Sequence, residues 1–301
     1  MKFFKKSVVF YIFREIFVNF VGYKLGLRKL RSKGRVNNMT WNTKEDIKDK
    51  GVKHSEYVNN ILDRFDKSGK IKKDVFLEMG PGGTVLPGFY HIANGWNKYI
   101  GVDVFPSKVW SSYPLKLYNS AFETMANDKC DLAKINLKSS KEGKGPVYYL
   151  GNDGIFSKEA SLLIGDSKVD MIYSYGVLEH IPEPREVFKH NFNMLQDDGI
   201  VVHVIDPYPH TWLKFDNPYY FLTIPDWLWN LMYGGRGFIN RYRYSSYIEW
   251  ATEAGFKILD VETELADKKY MSIKDKFISK FKHLEDSDIL TDRLCLVLKK
   301  G

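Results

Sequence analysis

One stretch of this sequence indicates the fold most directly: Val75-Phe-Leu-Glu-Met-Gly-Pro-Gly-Gly-Thr84. In it an apolar strand reaches an acidic residue, Glu78, and leads at once into a glycine-rich turn. Such a turn lets backbone N–H groups approach a ligand closely, and a carboxylate can bind beside them. A second apolar strand ends in Asp103, 23 residues after Gly80, where an acid is placed to hydrogen-bond ribose hydroxyls. Together these features predict a site for an adenosine-containing cofactor.

The glycine-rich turn is compatible with more than one kind of site. The dinucleotide-binding fingerprint G-x-G-x-x-G requires glycine at position 85, where this chain has Val85. A bare G-x-G also occurs in structural turns that bind nothing. The pattern E-x-G-P-G-G-T resembles motif I of class I S-adenosylmethionine-dependent methyltransferases, with Thr84 at the third glycine position. This resemblance implies S-adenosyl-L-methionine as the cofactor.

The expected cofactor residues lie at or just beyond the carboxyl ends of the predicted strands, where sheets of this kind bind ligands. They are Glu78, Gly80 and Gly82 for the carboxypropyl end and the turn, Asp103 for the ribose, Asn152 or Asp153 for the adenine amine, and Ser174 at the end of the fourth strand. The Gly-Asn-Asp-Gly turn that contains Asp153 is also explained without any ligand.

Two later stretches extend the resemblance. Residues 169–181 form an apolar strand that leads into a Leu-Glu-His turn, and residues 199–206 form another apolar strand after a glycine. They look like the fourth and fifth strands of the methyltransferase fold, and the resemblance covers about residues 55–264. Strands alternate with helical segments, which predicts an α/β fold with a doubly wound, mostly parallel, seven-stranded sheet. The last strand, near residues 293–299, is expected to be antiparallel, as in this family.

The chain divides by composition into five predicted regions. They are a basic amphipathic segment (1–35), a linker and helix (36–73), a cofactor-binding core (74–206), an aromatic cap with the acceptor region (207–243), and the rest of the core (244–301) with a charged insertion (265–290). The polar linker is expected at 36–54 and the helix from His54 to Lys67. Aromatic side chains crowd residues 207–250, which is typical of a packed cap and also of a lid over a sugar or lipid-linked acceptor.

Positive charge is concentrated at the N-terminus. Residues 1–35 carry ten Lys/Arg and one acid, a net of +9 against +8 for the whole chain, so the remaining residues sum to about −1. A nearly neutral body argues against nucleic-acid binding. Residues 8–21 are apolar and aromatic but interrupted by polar side chains, which predicts either a helix on an anionic membrane surface or one packed on the body.

Three histidines are candidate bases for removing a proton from an acceptor hydroxyl: His180, His203 and His210. The alternatives are a helix-capping role for Glu179 and His180 and a buried core imidazole for His203. The pattern H-x-I-D with a further histidine, and later N-R-x-R, resembles bacterial methyltransferases of surface-polysaccharide and O-antigen pathways, although Pro209 replaces an acid common there.

That second resemblance implies that His203, Asp206 and His210 line the acceptor pocket, and that Arg241 and Arg243 hold an anionic or polyhydroxyl substrate. A divalent-metal site of Glu179, His180 and His203 or His210 is conceivable. No metal is expected, however, because Gly176 stands where the metal-dependent pattern E-x-x-E-H has a glutamate. The two cysteines have no metal-ligand spacing and predict a reducing cytosol.

The predicted function is S-adenosylmethionine-dependent O-methylation of a glycan or glycolipid intermediate, in the cytoplasm or at the inner membrane face. The alternatives are a methyltransferase for a small metabolite or lipid headgroup, and a catalytically idle scaffold protein of the same fold.

Overall fold

The computed structural model describes residues 7–19, 44–67, 69–104, 109–127, 135–151, 157–165, 168–208, 212, 215–233 and 239–301. Within these ranges seven strands form one sheet in the order β3-β2-β1-β4-β5-β7-β6. The strands are β1 (Val75–Met79), β2 (Lys98–Asp103), β3 (Val147–Gly151), β4 (Val169–Tyr175), β5 (Leu195–Ile205), β6 (Phe256–Leu265) and β7 (Thr291–Lys300). Strands β1 to β5 pair in parallel, whereas β7 is antiparallel to β5 and β6. This confirms the predicted mostly parallel α/β sheet and its antiparallel last strand.

Helices connect the strands and cover both faces of the sheet. They are α1 (Val8–Asn19), α2 (Lys44–Phe65), α3 (Leu86–Ala93), α4 (Ser112–Asn127), α5 (Leu137–Lys141), α6 (Lys158–Ile164), α7 (Pro184–Met194), α8 (Asp226–Tyr233), α9 (Tyr244–Glu253), α10 (Ser279–Lys282) and α11 (Asp286–Leu290). Helix α2 begins at Lys44 rather than at His54, so residues 44–54 are helical and not the expected linker. No helix in the described ranges is long and apolar enough to cross a membrane.

The two faces of the sheet bury different side chains of the same strands. All five residues of β1 are buried. Because side chains alternate along a strand, Phe76 joins one apolar cluster with Tyr99 and Phe89, whereas Leu77 joins a second cluster with Ile172 on the other face. Burial on both faces explains why the parallel strands are mostly apolar in sequence.

A third apolar cluster forms the cap beside the sheet. It combines aromatic side chains of the 212–233 region with Tyr11 of α1 and with residues of the charged insertion; the insertion contributes Ile273, Phe277, Phe281, Ile289 and Leu290. The Tyr11 hydroxyl lies 3.1 Å from the Tyr233 hydroxyl, and its ring meets Trp212 edge-on. The segment 265–290, whose role the sequence does not show, therefore packs as part of the cap.

One buried arginine joins the cap to the sheet. Arg243, at the start of α9, donates hydrogen bonds to the carbonyl oxygens of Pro207 and Ile289, and to that of Thr291 at 2.8 Å. These carbonyls come from the residues that follow β5 and precede or begin β7. A guanidinium suits this role because its planar fork can donate in several directions at once.

We predict that Arg243→Lys lowers the free energy of unfolding by about 2–4 kcal/mol, because one ammonium cannot satisfy three separate buried carbonyls. Urea unfolding followed by circular dichroism measures the change. Arg185→Lys is the matched control, since Arg185 pairs with Glu253 at the surface, and it should change stability by less than about 1 kcal/mol. Equal effects of the two substitutions would contradict the assigned role.

Candidate active site

The glycine turn after β1 lies against the end of β2. Gly80 and Gly82 both have φ of +69°, a left-handed conformation that glycine adopts without strain. The Gly80 N–H donates to the Val102 carbonyl at 2.7 Å, and the Gly82 N–H donates to the Asp103 carboxylate at 3.2 Å. The structure therefore brings Gly80, Gly82 and Asp103 together, in the arrangement that the sequence spacing predicts.

The same turn is packed tightly against the residues that follow β4. A Cβ atom added to Gly80 would lie 2.4 Å from Cγ2 of Val177, closer than any van der Waals contact allows. Gly176, just before Val177, also has a positive φ of +64°. The turns after β1 and β4 thus meet at the carboxyl edge of the sheet, where doubly wound folds bind ligands.

Glu78 lies buried beneath the glycine turn. The Tyr99 hydroxyl donates to its carboxylate at 2.5 Å, and Nε2 of His54 lies 3.6 Å from the other oxygen. Burial raises the pKa of Glu78 to about 7, and the nearby Asp103 adds to this effect. Burial also lowers the pKa of His54 to about 3, so His54 is neutral and its contact with Glu78 is not an ion pair.

The sequence did not single out Tyr99 or His54 as partners of Glu78. For Tyr99 a signal existed in the strand register. In the parallel pairing Glu78 lies beside Gly101, so Tyr99, two residues earlier in β2, shares its face of the sheet. His54 lies on α2, and no periodic pattern in the sequence shows which residues of α2 face β1.

His203 and Ser174 form a buried pair between β4 and β5. The Ser174 hydroxyl lies 2.7 Å from Nδ1 of His203, and the Asn191 amide nitrogen lies 3.0 Å from Nε2. Burial lowers the pKa of His203 to about 3. Both ring nitrogens are engaged inside the protein, so this geometry favours the core-imidazole alternative over a role in removing an acceptor proton.

Four side chains meet at the ends of β4, β5, β6 and β7. Asp206, just after β5, accepts a hydrogen bond from Nε of Arg293 at 3.1 Å, and Arg293 also pairs with Glu264 at 2.9 Å. The Arg293 guanidinium lies 5.9 Å from the ring centre of Tyr175, which is half exposed at the end of β4. The sequence predicted Asp206 but missed Arg293, because a residue at the start of the last strand carries no local motif.

Of the candidate histidines that the structure describes, His180 is the one exposed at this edge. It lies on the 3₁₀ turn Leu178–His180, directly after β4 and next to Val177 and Gly176. The candidates His210, Asn152 and Asp153 lie outside the described residues. Of the three predicted bases, the structure therefore places His203 in the core and His180 at the surface of the site.

The neighbouring Glu179 is buried and unusual. Neither of its carboxylate oxygens makes a full hydrogen bond to a described residue, although the backbone N–H groups of Glu179 and Asp206 lie close enough to favour the charged form. Burial raises its pKa to about 8, and the negative charge of Asp206 contributes. A Cβ on Gly176 would lie 3.4 Å from Oε1 of Glu179, so the carboxyl lies against the turn at the end of β4. From the sequence, the roles considered for Glu179 were a helix cap and a metal ligand. No cluster of three or more potential metal ligands occurs among the described residues.

Arg241 and Arg243, predicted to bind substrate, direct their guanidinium groups into the protein. Arg241 donates to the carbonyls of Phe221 and Ile224 and to the carboxylate of Asp226, and it lies over the ring of Trp229 at 4.8 Å. We therefore interpret both arginines as residues that hold the cap together. Arg293 is the arginine at the sheet edge.

A cleft of about 520 Å³ lies between the cap and the turn after β4. Its lining includes Pro182, Asp226, Trp229, Asn240, Arg241 and Lys280. The Asn240 amide donates to the carbonyls of Leu178 and Ile181 at 2.7 and 2.9 Å, so the cleft wall is fixed to the turn that carries His180.

The sequence of residues 53–261 matches a family model described as methyltransferase domain. The chain belongs to this family. The match covers β1 to β5 and most of β6, and so includes the glycine turn, Asp103 and the Leu-Glu-His turn. This confirms the predicted class I S-adenosylmethionine-dependent methyltransferase.

Solved structures resemble this methyltransferase at low sequence identity. An S-adenosylmethionine-dependent methyltransferase from Clostridium acetobutylicum is 13% identical, with a TM-score of 0.42, over 82% of this chain and 90% of its own. The CurJ carbon methyltransferase is 16% identical, with a TM-score of 0.40, over 82% of this chain and 54% of its own. The [4+2]-cyclase SpnF is 14% identical, with a TM-score of 0.41, over 82% and 80%. No curated protein matches the chain in sequence.

S-adenosyl-L-methionine is the cofactor of this methyltransferase, and the residues at the β1–β2 edge fit such a group. Gly80 has no side chain because Val177 occupies the place of a Cβ, so the turn presents backbone, and an acid, Asp103, stands at the end of β2. Glu78, Gly80 and Gly82 would hold the carboxypropyl end and Asp103 the ribose. When bound, the cofactor supplies a methyl group activated by its sulfonium.

We predict that Gly80→Ala abolishes binding of S-adenosylhomocysteine, because the added methyl forces Val177 and the turn apart. Isothermal titration calorimetry measures the binding. Gly69→Ala is the matched control: Gly69 has φ of +62° and no atom within 4 Å of an added Cβ. That variant carries the same backbone strain, about 1 kcal/mol, and should bind normally. Normal binding by Gly80→Ala would refute the assigned turn.

The buried Glu179 makes the stability of the protein depend on pH. Between the ordinary glutamate pKa of 4.5 and about 8, the folded chain holds a proton at Glu179 that the unfolded chain has released. Rising pH through this window therefore lowers the stability of the wild type relative to Glu179→Gln, by up to about 1.4 kcal/mol per pH unit. Urea unfolding from pH 4.5 to 8 measures the difference. Glu179→Asp keeps an ionisable group and should keep the slope, whereas a pH-independent difference for Glu179→Gln would contradict the prediction.

Proposed function

We propose that this methyltransferase transfers the methyl group to a hydroxyl of a glycan or glycolipid intermediate of surface-polysaccharide synthesis. The observation that carries the proposal is the exposed His180, which stands on the turn after β4 at the edge that also presents Asp206, Arg293 and Tyr175. A base, a cation, an acid and an aromatic ring are the groups that a hydroxyl-rich acceptor needs.

His180 would remove the proton of the acceptor hydroxyl with a ring nitrogen. An alcohol is a poor nucleophile until its proton begins to leave, and histidine is the side chain whose ordinary pKa lies nearest to neutral pH. His203 would have a supporting role: it connects Ser174 on β4 to Asn191 on α7 and so fixes the spacing between the strands that carry the site.

Arg293 would bind the acceptor in place of Arg241 and Arg243. Asp206 and Glu264 both hold its guanidinium, which lies beside the exposed ring of Tyr175. A guanidinium held in this way can donate to sugar hydroxyls or to a phosphate, and an exposed aromatic ring can cover the apolar face of a sugar. Both interactions support a glycan or a phosphate-linked glycan as the acceptor.

The test is methyl transfer from S-adenosylmethionine to two acceptors: a free oligosaccharide, and the same oligosaccharide on a polyprenyl diphosphate. We expect His180→Asn to lower kcat about 100-fold or more while S-adenosylhomocysteine still binds in calorimetry. His283→Asn is the control, because His283 is exposed at the end of α10 in the cap and is not part of the turn after β4.

Mass spectrometry of the product locates the methyl group. A methyl ether is the expected product. A methyl on nitrogen or carbon, or full activity of His180→Asn, would overturn the proposal, and normal cofactor binding without any transfer to either acceptor would indicate a different substrate class.

A further inference from the structure

Helix α1 presents a row of apolar side chains to solvent. Val9, Phe13 and Phe17 are 61%, 67% and 67% exposed. Their spacing of four residues places them on one side of the helix. An apolar row of three on a helix of 12 residues is unusual for a surface that faces only water.

The opposite side of α1 is the side that packs on the protein. Tyr11 and Glu15 are buried there. The Tyr11 ring packs on Trp212 and Phe215, and the Asn19 amide donates to the Leu231 carbonyl at 2.8 Å. The helix is therefore fixed by a face that contains polar groups, and its more apolar face is directed outward. A helix that served only to cover the core would have the reverse orientation.

Helix α8 packs beside α1 and adds to this surface. Trp227 and Leu231, again four residues apart, are 69% and 47% exposed. The other side of α8 belongs to the cap: Trp229 is buried, and Asp226, Trp229 and Asn230 line the cleft. One short helix thus connects the exposed apolar surface to the cleft wall.

Charge identifies the kind of partner that fits this surface. The sequence on either side of α1 is strongly basic, with Lys2, Lys5 and Lys6 before it and six Lys/Arg between Lys24 and Arg35. On α1 itself the single acid, Glu15, is buried, whereas half of the Arg14 side chain is exposed. Phenylalanine and tryptophan flanked by lysine and arginine are the composition of segments that bind anionic lipid surfaces.

We propose that the exposed faces of α1 and α8 form one docking surface for an anionic phospholipid bilayer. Helix α1 is about 18 Å long, well short of the roughly 30 Å hydrocarbon core, so it lies in the interface and does not cross it. Docking through α8 brings the cleft lined by Trp229 close to the lipid headgroups. That this serves a lipid-linked acceptor rests on the proposed function, whereas the binding to lipid does not.

The test is co-sedimentation of the full chain with vesicles of phosphatidylcholine, with and without phosphatidylglycerol. We expect binding only to the vesicles that contain phosphatidylglycerol, and weaker binding as salt is raised. The double variant Phe13→Gln, Phe17→Gln and the single variant Trp227→Gln should each lose at least tenfold in affinity. Leu162→Gln is the matched control, because Leu162 is 71% exposed on α6, away from this surface, and should bind as the wild type does.

Tryptophan fluorescence gives an independent readout. The emission of the wild type should shift to shorter wavelength on addition of the anionic vesicles, and Trp227→Phe should lose most of this shift. Calorimetry with S-adenosylhomocysteine shows that each variant is folded, since none of the substituted residues belongs to the glycine turn.

Two outcomes would overturn the proposal. One is binding to the anionic vesicles that the Phe13, Phe17 and Trp227 variants leave unchanged. The other is that the wild type does not bind vesicles but self-associates without lipid, and that the same variants abolish this self-association. That result would assign the surface to a second copy of the chain. Neither assay contains an acceptor. A negative result for lipid binding would therefore not count against the proposed methyl transfer to a free oligosaccharide.

Discussion

The close packing of the turn after β1 against the turn after β4 is the constraint on which the site depends. At Gly80 the backbone is left-handed, and Val177 occupies the place where a side chain would begin. Residue 80 therefore has to be glycine, and the N–H groups of the turn lie at the edge of the sheet next to Asp103. The same contact fixes the start of the turn that carries Glu179 and His180, so one interface positions both the glycine turn and the turn after β4.

Burial sets the charges around that interface. It raises the pKa of Glu78 to about 7 and that of Glu179 to about 8, and it lowers the pKa of His54 and His203 to about 3. The buried carboxyl groups of the site therefore ionise less readily than an exposed glutamate, and the buried imidazoles stay neutral. A positively charged ligand at this edge would favour the ionised acids, which is a physical reason for acids beneath a site that accepts a sulfonium.

The sequence predicted the sheet well and the side-chain roles unevenly. Strands β1, β2 and β4 are buried on both faces, so mostly apolar runs mark them, and the glycines mark the turn between β1 and α3. Sequence patterns do not show whether a polar side chain points inward or outward. For that reason Arg243 looked like a substrate ligand although it holds three buried carbonyls, and Arg293, which reaches the site from the far end of the chain, gave no signal.

The cap shows how distant segments build one surface. Helix α1, the aromatic region before α9 and the charged insertion share one apolar cluster, although each is separated from the next by long stretches of sequence.

A crystal structure of the protein with S-adenosylhomocysteine tests the cofactor site most directly. The account predicts density along Gly80 and Gly82 with the ribose at Asp103; density in the cleft beside Trp229, with the glycine turn empty, would contradict it.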